Sequence, residues 1–194
     1  MLGTTKETGV YTVTPRNAVI QLDAMLTAAG YKVSFTNHGV NMIITDDLWN
    51  GSRGVPRSWV AEMKSSNADI VVINTGLNDA ALMGTGWDDV AHVKATWTKL
   101  VKAALARGKV VFVETPNPCT DRKTAVFVAR IAGALAEVVA ENPGTHLIDQ
   151  HAEITRRMPQ WSSHLPDGIH PDDTLYTFKA VVEAQALIPA LPSL

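Results

Sequence analysis

The 194-residue chain holds one cysteine, Cys119, which excludes an internal disulfide and a cysteine-based zinc site. It has no excess of charge of either sign. Its 17 basic side chains face 19 acidic ones, and the net charge of −2 excludes a strongly basic binder of nucleic acid or other polyanions. No run approaches the ~18 apolar residues of a membrane span. The opening Met1-Leu2-Gly3-Thr4-Thr5-Lys6-Glu7 lacks the apolar centre of a secretion signal. No Gly-x-Gly-x-x-Gly or P-loop follows any apolar run, which argues against a nucleotide or flavin binder, and no Gly-x-Ser-x-Gly elbow occurs. Long linkers, fixed-period repeats and low-complexity tracts are missing too. What remains reads as a soluble single domain over residues 1–194, large enough to bury its own core, with the compartment left open.

Four short runs rich in β-branched residues are expected to be strands: Lys32–Asn37, Asp69–Gly76, Lys109–Thr115 and Thr145–Asp149. In the middle two, Ile70-Val71-Val72-Ile73 and Val110-Val111-Phe112-Val113 are apolar on successive residues. A strand covered on both faces needs that pattern, and it points to a parallel sheet. Helices are expected between them, over Pro15–Gly30, Pro56–Ser66, Asp88–Arg107, Thr124–Glu141 and Thr174–Leu187. Alternation of this kind predicts a three-layer α/β/α fold built from βαβ units. Such sheets place their chemistry in the loops at the carboxyl ends of the strands.

Those loops carry specific polar residues. Asp167 and His170 stand three apart around Gly168, a spacing at which a carboxylate reaches the imidazole of its own turn. The carboxylate would fix the tautomer and stabilise the imidazolium while Nε2 acts as general base. An isolated Asp-x-x-His is also compatible with a solvated surface turn. Gly76-Leu77-Asn78-Asp79 ends the second run. The Asn78 amide can donate to a developing oxyanion there, and Gly39 offers a bare backbone N–H from the preceding loop. The competing reading of Asn78 and Asp79 is helix capping.

Taken in order, Gly39, Gly76-Leu77-Asn78-Asp79 and Asp167-Gly168-Ile169-His170-Pro171 resemble the SGNH, or GDSL-type, hydrolase superfamily of esterases and acylhydrolases. The resemblance runs from about Thr4 to Ala186 and takes in the Thr115-Pro116-Asn117-Pro118 turn. It implies a flavodoxin-like fold and ester hydrolysis through an acyl-enzyme. It also implies Gly39 and Asn78 as oxyanion-hole donors, His170 as the base and Asp167 as the group that orients it.

The superfamily's first block, Gly-Asp-Ser, supplies the nucleophile, and this chain has no such triplet; its first serine is Ser34. The strand that normally precedes that block is also missing from the pattern, which leaves a gap in the expected sheet. Three accounts are open. The sequence is an N-terminally clipped enzyme, which we favour for its origin; or Lys32–Asn37 pairs directly with Asp69–Gly76; or a segment such as Val10–Thr14, or a strand from another copy, fills the gap. Thr4, Ser52 and Cys119 are weak substitutes for the serine. Thr4 is hindered, Ser52 lies in a loop without an elbow, and a lone cysteine is usually a buried filler.

His38, His92, His146, His151 and His164 lack metal-ligand spacing, so no metal is expected, and the ester hydrolysis that the resemblance implies needs no cofactor. Trp161, leading into the Asp167–His170 turn, is a candidate stacking surface for a sugar, or else a plug beneath a long loop. The expected partner is a small-molecule or carbohydrate ester, with no nucleic acid and no membrane, and with the oligomeric state open. The expected function is hydrolysis of short acyl esters such as O-acetyl groups. The alternative is a truncated or impaired homologue that serves as a non-catalytic ligand-binding domain.

Overall fold

The computed structural model describes residues 2–4, 11–13, 15–87 and 89–191, with backbone alone for 2–4 and 11–13. The chain divides into two compact units, one of Met42–His151 and one of Met1–Asn41 with Ala152–Leu194.

At the start of the chain, β1 (Leu2–Thr4) and β2 (Tyr11–Val13) pair antiparallel, Gly3 opposite Thr12. The expected gap-filling segment therefore has its described part, Tyr11–Val13, in a small sheet with Leu2–Thr4. Its Val10 and Thr14, and residues 5–9, lie outside the described residues. α1 (Ala18–Ala28) is started by Asn17, whose side chain accepts the Ile20 N–H at 3.2 Å. It buries Ala18, Leu22 and Leu26 on one face.

The expected strand over Lys32–Asn37 does not form, and most of residues 32–39 are exposed without regular structure. The run offers only Val33 and Phe35 as apolar side chains, and Phe35 is among the exposed large hydrophobics. The two would share one face of a strand, but that face is not buried and the run has no ladder partner among the described residues, so little holds it as a strand. Direct pairing of this run with Asp69–Gly76 is corrected accordingly.

In the Met42–His151 unit the elements are α2 (Thr45–Asn50), α3 (Trp59–Ser65), β3 (Ile70–Asn74), α4 (Leu77–Met83), α5 (Val90–Leu105), β4 (Val110–Glu114), α6 (Arg122–Glu141) and β5 (Thr145–Ile148). The strands form one parallel sheet in the order β3-β4-β5, with Val72 opposite Phe112 and Phe112 opposite His146. β4 is central, and its Val111, Phe112 and Val113 are at most 1% exposed, as their unbroken apolar run requires. α5 and α6 pack against β4 and against each other. α5 contributes Val93, Trp97, Leu100, Val101 and Ala104 to the core, and α6 contributes Val128, Ile131, Leu135 and Val138. Burying each such side chain is worth roughly 1.5–3 kcal/mol before entropy is counted. Aspartates start both helices: Asp89 accepts from His92 N–H and Asp121 from Thr124 N–H. Asp88, where a helix was expected to start, is outside the described residues.

α7 (Gln150–Arg157) and α8 (Asp173–Leu187) complete the helices. Within the unit of Met1–Asn41 and Ala152–Leu194, α8 packs on α1, and Leu175 on α8 joins Ile154 and Leu165 in a buried cluster. No helix among the described residues is long and apolar enough to cross a membrane.

Candidate active site

The turn that enters α8 is organised by its two aspartates. Gly168 sits at φ 84°, a left-handed conformation that glycine adopts without penalty, and its N–H closes the turn on Leu165 O at 2.9 Å. Within the turn, Asp167 Oδ1 accepts the backbone N–H groups of Ile169 (3.0 Å) and His170 (2.7 Å). The other oxygen, Oδ2, lies 2.6 Å from His170 Nδ1. Partial burial works to raise the Asp167 carboxyl, but the bonds from His170 and Ile169 outweigh it and hold it below its ordinary 3.8. The carboxylate is therefore charged at neutral pH. What it adds to the turn is present above the ordinary value and is lost as pH falls through the lowered one. A charged acceptor on Nδ1 selects the tautomer that carries its lone pair on Nε2, which is the state a general base requires. The expected pairing of Asp167 with His170 is thus present.

Gly39 and Asn78 stand differently. Gly39 is exposed, and its N–H donates to Asn37 Oδ1 at 2.9 Å. To serve an oxyanion it would first have to leave that side chain. Asn78 lies in the other unit, in the first turn of α4, after Gly76 at φ 110°. The positive φ favours glycine at the sharp entry to α4, and a Cβ there would also crowd Ile131 at 3.1 Å. Neither Asn78 nor Asp79 caps α4. Asn78 Nδ2 donates to Ile43 O at 2.9 Å, and a carboxamide has a second N–H to give. Asp79, 1% exposed, receives the Thr45 N–H on both oxygens at 3.1 Å. Burial raises its carboxyl above the ordinary 3.8 in spite of that bond. The pair thus ties α4 to the start of α2, a role that neither sequence-based reading contained.

Trp161 lies in a short 3-10 turn over Trp161–His164, half-buried against the Ile154, Leu165 and Leu175 cluster with Met158 and Phe178. It thus packs on this cluster and is partly accessible. Cys119 is 4% exposed, with burial pushing its thiol up to about 11, so it holds no appreciable thiolate at neutral pH. Ser52 Oγ donates to Asp47 Oδ1 at 2.6 Å rather than to an imidazole. Among the described residues no group of three histidine, cysteine or acidic side chains could hold a metal.

One bond beside this turn was not visible in the sequence. His164 Nδ1 and Asp172 Oδ2 are 2.9 Å apart, while Asp172 Oδ1 accepts the Leu175 N–H at the start of α8. The capping position before an amphipathic helix was a readable signal for Asp172. Its second partner, eight residues back, was not.

Set beside known proteins, residues 8–178 match the GDSL-like lipase/acylhydrolase family. Among curated proteins none matches. Several solved structures share the fold. A lipase/acylhydrolase from Enterococcus faecalis is 19% identical, with 94% of this chain and 89% of that one covered and a TM-score of 0.74. The acetyl xylan esterase AlAXEase is 16% identical, with 90% and 92% covered and a TM-score of 0.73. A variant of an acetylxylan esterase from Geobacillus stearothermophilus is 16% identical, with 97% and 84% covered and a TM-score of 0.67. These likenesses establish the α/β fold with its parallel sheet.

Proposed function

The chain belongs to the GDSL-like lipase/acylhydrolase family, and from that premise we propose that it serves the hydrolysis of short acyl esters, O-acetyl groups on carbohydrates or small molecules first among them. The observation that carries this reading is the Asp167–His170 pair, 2.6 Å long and formed within one turn, with the carboxylate on Nδ1. Two of the similar structures are acetylxylan esterases, which supports acetyl as the acyl group.

In this reading a serine hydroxyl, which in the family comes from the Gly-Asp-Ser block that these 194 residues do not contain, attacks the ester carbonyl and its proton passes to His170 Nε2. The same proton then leaves with the departing alcohol, giving an acyl-enzyme and a free alcohol. Water repeats the sequence, releasing the acid and restoring the serine. Asp167 holds the ring and stabilises the imidazolium in both halves. Gly39 N–H and the Asn78 amide are the donors to the oxyanion, by their positions in the family pattern. Trp161 offers the exposed part of its ring to a sugar.

A second reading follows from one specific observation: the 194 residues contain no Gly-Asp-Ser triplet. On that reading the chain binds the ester without cleaving it. Release of acetate from acetylated xylo-oligosaccharides and from 4-nitrophenyl acetate separates the two. Turnover supports the esterase. Saturable binding without turnover supports the binding domain.

A further inference from the structure

A nine-residue loop, from His164 to Asp172, presents the Asp167–His170 pair, and both of its ends are tied to each other. Asp172 N–H donates to His164 O at 2.9 Å, and His164 Nδ1 meets Asp172 Oδ2 at 2.9 Å, so main chain and side chain close the same gap. Asp172 Oδ1 meanwhile accepts Leu175 N–H at 3.0 Å, which joins the closure to the first turn of α8. Leu165, 5% exposed, fixes the near end of the loop in the cluster with Ile154 and Leu175. The loop thus contains two imidazole–carboxylate pairs, an inner one of 2.6 Å and an outer one of 2.9 Å.

We infer that His164 and Asp172 are positioning residues, a clasp that holds the His170 ring in place relative to α8. The inference rests on the esterase reading of Asp167 and His170. The inner pair fixes the ring relative to its own turn. An anchor at the ends of the loop limits how far the turn as a whole can shift. The backbone bond closes the loop, and the Leu175 N–H already holds Asp172 Oδ1. The imidazole–carboxylate bond adds the His164 ring to that cap, so that cap, ring and loop ends form one frame. A displacement of about 1 Å in a base can cost up to ~10²-fold in rate while binding is unaffected, so the effect belongs in kcat.

The test uses the full chain in three variants. His164→Ala removes the clasp. His164→Asn retains an N–H near the Nδ1 position. Asp172→Ser retains an oxygen to cap α8 while dropping the carboxylate. The first readout is the proton NMR signal of the His170 Nδ1–H and its exchange with water; the second is the division of any esterase activity between kcat and KM. Exchange should be faster in His164→Ala and Asp172→Ser and restored in His164→Asn. The kcat should fall ~10- to 100-fold in the first two, with KM within about twofold. Unchanged exchange and unchanged kcat in a folded His164→Ala or Asp172→Ser protein would overturn the clasp. If the parent chain shows no turnover, the esterase reading fails on that count, and the exchange rates alone decide the clasp.

Discussion

Two imidazole–carboxylate pairs of nearly equal length lie in different units: His170–Asp167 at 2.6 Å and His92–Asp46 at 2.7 Å. Distance does not tell them apart, but chemistry does. His170 is held through Nδ1, the nitrogen next to its own backbone, which on the proposed reading leaves the base role to the outer nitrogen. His92 is held through Nε2, its outer nitrogen, so the one left over lies beside its own main chain. Asp167 is fixed by two N–H groups of its own turn, whereas Asp46 leans on the Thr96 hydroxyl of another helix at 2.9 Å. An exposed pair like the second is a surface bridge between α2 and α5, worth about 0–1 kcal/mol. The first has the form of a base with its orienting group. A histidine–aspartate distance is therefore weak evidence for a site until the bonded nitrogen is known.

The contrast can be broken by mutation. His170→Ala should lower ester turnover by at least ~10³-fold in kcat; a mild loss would put both histidines in the same class. Asn78→Ala should lower kcat by ~10²–10³-fold with KM little changed, as loss of an oxyanion donor does. A change confined to KM would reduce Asn78 to its observed bond with Ile43.

Asp79, its neighbour, tests structure rather than chemistry. The folded chain raises its carboxyl, so whatever that group adds is present below the ordinary 3.8 and is lost as pH rises through the raised value. Asp79→Ala leaves the buried Thr45 N–H without its acceptor and should cost about 1–3 kcal/mol by denaturant unfolding. Asp79→Asn keeps an acceptor and removes the buried charge. Its stability relative to the parent should therefore improve from pH 4 to pH 7, and the opposite trend would mean that the charge itself is the useful group. Smallest of all, His92→Ala should leave kcat within about twofold and stability within about 1 kcal/mol.

How much of this was legible in sequence depended on how local the cause was. β3 and β4 were readable from unbroken apolar runs, although only β4 is covered on both faces and Val72 of β3 is exposed, and β5 was readable as a short run containing β-branched residues. α5 and α6 were readable because long amphipathic patterns outlast errors at their ends. Thr45–Asn50 and Gln150–Arg157, six and eight residues of mostly polar sequence, carry no such pattern and are helical through their tertiary setting. Lys32–Asn37 failed in the opposite direction, since β-branched residues alone do not provide a strand with a neighbour. At the site, Asp167–His170 was legible because a three-residue spacing around Gly168 closes on itself. The bond from His164 to Asp172 was not, because only the folded loop brings residues eight apart together. The observed partners of Gly39 and Asn78, Asn37 Oδ1 and Ile43 O, belong to a loop whose path the residue pattern does not encode.

The most direct test of the account is to label the purified chain with a fluorophosphonate and map the modified peptide by mass spectrometry, in the parent and in His170→Ala. The account of His170 as a working base predicts one modified hydroxyl-bearing residue in the parent and its loss in the variant. Labelling that persists without His170, or no labelling of the parent at all, would contradict it, and the second result would leave the chain as an ester-binding member of its family.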